Sequence, residues 1–97
     1  MRVIARRTLR EFWNVHPDAE QALRAWYHEA KAAAWANSAQ VKQQFASASI
    51  ISAERVVFNI CGNKYRLVVS INYGCQVVYT KFVGTHAEYD AVDAETV

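Results

Sequence analysis

Glycine and proline are scarce: three Gly and one Pro in 97 residues. That scarcity excludes a flexible linker, a collagen-like repeat or a low-complexity tract, each of which needs such residues in quantity. Only two cysteines are present, Cys61 and Cys75. They lack the spacing of a metal-binding pair, and one possible bridge falls short of the disulfide framework of a small secreted domain. No apolar run approaches the length needed to cross a bilayer. Arg2-Val-Ile-Ala-Arg6 is too short for the apolar core of a signal peptide. The expectation is a cytoplasmic protein with reduced thiols and no membrane partner.

What is present is a hydrophobic fraction of 53%, enough to offset the ordering entropy of one core but spread over too few residues for two. Residues 1–97 are therefore read as one domain. The formal net charge is only +2, yet the charges are segregated. Glu88, Asp90, Asp93 and Glu95 crowd the last ten residues, whereas Arg2, Arg6, Arg7 and Arg10 crowd the first ten. Lys64, Arg66 and Lys81 fall among predicted strands, where they are able to meet a polyanion or simply to solvate a surface.

Periodicity divides the chain into α and β parts. Residues 2–5 are suited to a short strand. Thr8 and Glu11 have capping-box spacing, and Leu9, Phe12 and Trp13 form a buried helical stripe that His16-Pro17 ends. Asp18 and Gln21 repeat the cap signature ahead of a second stripe, Leu23, Trp26, Tyr27 and Ala30. Residues 37–53 read as a connector with a helical turn near Val41–Gln44 and extended chain near Ile50-Ile51. Three segments rich in Val, Ile, Phe and Tyr follow, 54–60, 64–73 and 76–85, separated by turns at Cys61-Gly-Asn63 and Gly74-Cys75. The expected fold is α+β: an N-terminal helical hairpin on a curved antiparallel sheet of three to four strands, with a short C-terminal helix or turn at His86–Asp90.

Strand alternation sorts the side chains. Tyr65, Leu67, Val69, Ile71 and Tyr73 suit the helix-covered face, which leaves Lys64, Arg66, Val68, Ser70 and Asn72 on the open one. Lys64 and Arg66 would then stand side by side, with Asn63 adding an amide at the turn. An arginine in mid-strand is costly without an anionic partner, and its planar fork matches a phosphate. Lys81 joins that face if the strand register holds. His86 and Tyr89 are three residues apart, so one helical turn brings both rings to one side, where an imidazole and a phenol are able to divide proton transfers. His16 and His28 fall on the helices, away from this cluster, and are read as structural or exposed.

Arg10-Glu-Phe, His16-Pro-Asp-Ala19, Leu23-Arg-Ala-Trp26, Val57-Phe-Asn-Ile60, Gly62-Asn-Lys-Tyr-Arg-Leu67 and Gly84-Thr-His-Ala-Glu-Tyr-Asp90 together resemble the HigB family of type II toxin-antitoxin systems, a branch of the RelE-like ribonucleases. The likeness covers nearly the whole chain. It implies a RelE-like fold and a metal-independent endoribonuclease that cleaves mRNA on the translating ribosome by 2′-hydroxyl attack, with no cofactor. It implies a HigA-like helix-turn-helix antitoxin as partner, alongside mRNA and the ribosome. Carried onto matching positions, it makes Arg66, His86 and Tyr89 catalytic. Asn63, Lys64 and Lys81 follow as RNA contacts, and Asp90 supports His86. The competing reading is a non-catalytic module that docks RNA or protein on the same basic face. A metal-dependent nuclease fares poorly, because no carboxylate cluster falls among the strands.

Overall fold

The computed structural model describes residues 1–97. In chain order it runs β1 (Arg2–Ile4), α1 (Arg6–Val15), a 3-10 turn (Pro17–Ala19), α2 (Glu20–Ala32), α3 (Ser38–Gln44), β2 (Ser49–Ile50), β3 (Arg55–Ile60), β4 (Tyr65–Asn72), β5 (Val77–Thr85) and α4 (His86–Asp90). The strands form one sheet in the order β1-β5-β4-β3-β2. The α+β class, the helical hairpin and the three-stranded meander are as expected. The sheet is nevertheless mixed and has five strands. β1 pairs with β5 in parallel, Arg2 opposite Val77; the helices and strands β2 to β4 all lie between them in sequence, so no tight hairpin ties the two strands to antiparallel pairing. The connector near Ile50 adds the two-residue β2 against β3.

The core forms where the two helices press on one face of the sheet. Leu9 and Trp13 of α1, and Leu23, Trp26 and Ala30 of α2, are buried against Phe58, Leu67, Val69, Ile71 and Val78. Each fully buried Leu, Ile, Val or Phe contributes about 1.5–3 kcal/mol relative to exposure. Two arginines clamp the hairpin over its aromatics. The Arg24 guanidinium lies 4.7 Å from the Trp13 ring across the helix pair, and that of Arg6 lies 5.3 Å from Tyr27. Arg7 pairs with Glu11, so two of the four N-terminal arginines serve the helices themselves.

Two expected caps fall elsewhere. Helix α1 begins at Arg6 and its N-cap, Ala5, makes no side-chain bond, so Thr8 lies inside the helix. Asp18 sits in the 3-10 turn rather than at an N-cap, and its carboxylate is engaged across the structure. Side-chain caps occur instead at Asn37, which accepts from the Gln40 backbone N–H, and at Thr85.

The open face is partly closed. Val57 and Val68 are buried although they belong to the face away from the helices. After α4 the chain returns along that face to Arg55, whose guanidinium donates to the Val97 carbonyl at 2.5 Å and to that of Ala94 at 3.4 Å. Val92, Ala94 and Val97 are half-buried there, and the acidic tail, tied to Arg55, runs away from the His86 end of the sheet.

Candidate active site

Three corners meet at one end of the sheet: the α1–α2 junction, the β3–β4 turn and the β5–α4 junction. Between them lies an open cleft of about 730 Å³, with His16, Asp18, Lys64, Tyr65, Thr85 and His86 in its wall. Its size falls within the range of small-ligand sites. The β4–β5 ladder carries into it, since the His86 N–H donates to the Lys64 carbonyl at 3.3 Å.

Asp18 organises one wall. One carboxylate oxygen accepts the Tyr65 hydroxyl at 2.6 Å, and the other is ion-paired with Lys64. Hydrogen bonds from Lys64 and then Tyr65 hold the Asp18 carboxyl below its usual range. The same bonds push up both the Lys64 ammonium and the Tyr65 phenol. Lys64 lies outside β4 and leans over the Tyr65 ring, 5.6 Å from its centroid. It is therefore not side by side with Arg66 as strand alternation implied: the turn frees it from the pleat, and Asp18 draws it toward the helices.

Arg66 remains on β4, opposite Asn59 and Gly84. Its Nη1 donates to the Asn63 carbonyl at 2.9 Å and to the Tyr65 carbonyl at 3.3 Å, which folds the guanidinium back toward the turn that carries Lys64. Asn63 thus contributes its backbone oxygen to hold Arg66, while the residue itself stays exposed. The turn depends on left-handed backbone at Cys61 and Gly62, φ 55° and 66°. Lys81 is the extra residue of a bulge: the register steps from Val68–Phe82 to Val69–Thr80 and leaves it without a cross-strand partner. Its ammonium lies 5.6 Å from the Tyr79 ring. Three residues from Gly84 along the strand, it stands roughly 10 Å from the level of Arg66.

A capping box starts α4. Thr85 accepts the Glu88 N–H at 3.1 Å, and the Glu88 carboxylate accepts the Thr85 N–H at 2.8 Å. Those bonds from Thr85, with a smaller contribution from the charge of His16, hold the Glu88 carboxyl below its usual range. His86 Nδ1 lies 3.2 Å from an Asp90 oxygen, and the residue lines the cleft. Tyr89 is half-buried and shares α4 with His86 but does not line the cleft. Of the seven residues singled out in the sequence, the cleft wall contains Lys64 and His86; Asn63 and Arg66 adjoin it through the turn.

Sequence reasoning left out Asp18, Tyr65 and His16. Asp18 was read as a cap and Tyr65 as core, and no local pattern ties Asp18 to a lysine 46 positions away. His16 was placed apart from the cluster. It lies in the cleft wall because Pro17 forces the helix to end there and turns the chain toward the sheet. His28 is exposed on α2.

The helices on a mixed sheet, with the cleft at the strand ends, define a RelE-like α+β protein. The sequence model of the HigB_toxin family, described as the RelE-like toxic component of a toxin-antitoxin system, matches residues 19–92, and the chain belongs to that family. Membership makes it a toxin of a toxin-antitoxin system, with an antitoxin as partner. No curated protein matches the chain. No helix is long and apolar enough to cross a membrane.

Proposed function

We propose that this toxin is a metal-independent mRNA endoribonuclease that cleaves translated mRNA on the ribosome, by attack of an RNA 2′-hydroxyl on the adjacent phosphorus, and so arrests translation and growth. Such a reaction needs a proton acceptor, a proton donor and positive charge beside the pentacovalent transition state. Arg66 and Lys64 hold the phosphate, and His86, oriented by Asp90, moves a proton. Tyr89 meets the substrate through its ring or hydroxyl, and Asn63 and Lys81 extend the contact to flanking nucleotides. A HigA-like helix-turn-helix antitoxin is the partner that restrains this activity, and the cytoplasm is where it acts.

The observation that supports this reading most is the cleft that joins Lys64 and His86 beside the Arg66 strand. Asp90, with an oxygen 3.2 Å from His86 Nδ1, is close enough to serve as the third group that orients the imidazole in other acid-base sites. Primer extension on cellular mRNA after brief induction tests it. New 5′ ends within coding regions are expected for the wild-type chain. Undiminished cleavage by the His86→Ala, Tyr89→Ala double variant would sink the assignment of these residues, and intact mRNA under the wild-type toxin would leave only a binding module.

A further inference from the structure

The cleft holds two imidazoles, and only one has been given a role. His16 closes α1 in a non-helical conformation, φ −122° and ψ 78°, and its ring is fixed by aromatic packing alone. It stacks on Phe12 with centroids 4.5 Å apart and meets Tyr65 at 5.3 Å. The hydrogen bonds of this corner run to Asp18, from Lys64, the Tyr65 hydroxyl and the Cys61 thiol, and none runs to the imidazole. The ring is held in place while its nitrogens stay uncommitted.

The other titratable groups of the wall are committed. Asp18 is held ionised by Lys64 and Tyr65, and the same contacts keep Lys64 charged and Tyr65 protonated. That leaves His16 and His86 as the two side chains of the wall with ring nitrogens outside this network. They enter the cleft from different corners, one from the α1–α2 junction and one from the β5–α4 junction. His86 Nδ1 lies 3.2 Å from an Asp90 oxygen, a carboxylate in ion-pair range as behind a proton acceptor; the carboxylate on the side of His16, Glu88, feels its charge but is itself bonded to Thr85. His16 also lies outside residues 19–92, the part matched by the family.

We propose that His16 is a catalytic residue of this cleft, donating a proton to the departing 5′-oxygen of RNA while His86, oriented by Asp90, accepts the proton of the attacking 2′-hydroxyl. The assignment rests on the ribonuclease reading above. The 2′-oxygen forms its bond to phosphorus as the bond from phosphorus to the 5′-oxygen breaks. The 2′-hydroxyl proton passes to His86 Nε2, and the 5′-oxygen leaves with the proton of His16. The products are a 2′,3′-cyclic phosphate and a 5′-hydroxyl, and exchange with water resets both rings. Tyr89, outside the cleft wall, then serves to stack on a base and not to move a proton.

The test compares the wild-type chain with His16→Phe, which keeps a ring between Phe12 and Tyr65 but no nitrogen. Each is added to cell-free translation of an mRNA whose cleavage site has been mapped with the wild type. A second mRNA carries a 5′-bridging sulfur at that site, a leaving group that departs without a proton. His16→Phe is expected to slow cleavage of the ordinary mRNA at least about 100-fold and to recover to within about tenfold of wild type on the sulfur-bearing one. His86→Ala gains no such recovery. Thermal melting checks the fold, and His16→Gln replaces His16→Phe if the latter melts well below the wild type. Cleavage of ordinary mRNA by the variant within threefold of the wild-type rate, or a defect that persists with sulfur, overturns the role of His16 alone. An inert wild-type chain overturns the ribonuclease reading and this assignment with it.

Discussion

Replacing Gly84 by alanine probes the join between the sheet and α4, the element that carries His86. A methyl group there would lie 2.5 Å from Phe82 Cζ, 3.0 Å from its Cε1 and 3.2 Å from Glu88 Cβ. Ordinary carbon contacts are about 3.5–4.0 Å, so the Phe82 ring must retreat by roughly 1 Å and α4 by a few tenths of an ångström. Overpacking of this kind costs about 1–3 kcal/mol. The loss of glycine freedom in the unfolded chain returns about 0.4–1 kcal/mol, so the middles of the two ranges leave a net destabilisation of about 1.3 kcal/mol. At about 4–8 °C per kcal/mol for a domain of this size, Tm should fall by roughly 5–10 °C. Urea and thermal unfolding followed by far-ultraviolet circular dichroism measure this. The same substitution in a Phe82→Ala background should cost about 1 kcal/mol less, because only the Glu88 contact remains. A Gly84→Ala chain within about 0.5 kcal/mol of wild type, or an equal cost in both backgrounds, would refute the reasoning.

Other expectations follow from the same geometry. Phe58, 1% exposed beneath Trp26 and Phe45, should cost about 3–5 kcal/mol as alanine, read as a lowered urea midpoint at unchanged slope. Asp18 and Glu88 both have folded-state carboxyls below their ordinary values, 3.8 and 4.5. Their contribution is therefore complete above those values and is lost as pH falls through the lower folded ones. A melting profile across pH 2–6 should show an acid-side decline that shrinks in Asp18→Asn. Arg55→Ala should free the returning tail: amide exchange and protease cleavage within residues 91–97 should rise while the β3–β5 core stays protected. Unchanged protection of the tail would show that its apolar residues alone hold it.

The three long strands and the helical hairpin were legible in the sequence because alternation and 3.6-residue stripes are local and strongly marked. Tyr65, Leu67, Val69 and Ile71 fall on the helix-covered face as their alternation requires. The caps were not legible at Thr8 and Asp18, since a short polar residue followed three places on by Glu or Gln arises often by chance; Thr85 and Glu88 satisfy the same pattern and do form the box. The parallel pairing of β1 and the ion pair of Asp18 with Lys64 are long-range contacts that no local window records. Strand alternation also misplaced Lys64, because a turn residue is released from the pleat. The bulge leaves Lys81 unpaired for a related reason: one extra residue breaks the count. His16 needed the fold itself, in which the corner made by Pro17 brings α1 to the end of β4.

The most direct test of the central claim is the chemistry of the RNA ends left by the purified toxin in cell-free translation. Attack by a neighbouring 2′-hydroxyl predicts 5′-hydroxyl ends that accept a labelled phosphate from polynucleotide kinase without prior dephosphorylation, matched by 2′,3′-cyclic phosphates upstream. Fragments bearing 5′-phosphates, or an mRNA left whole, would contradict the account.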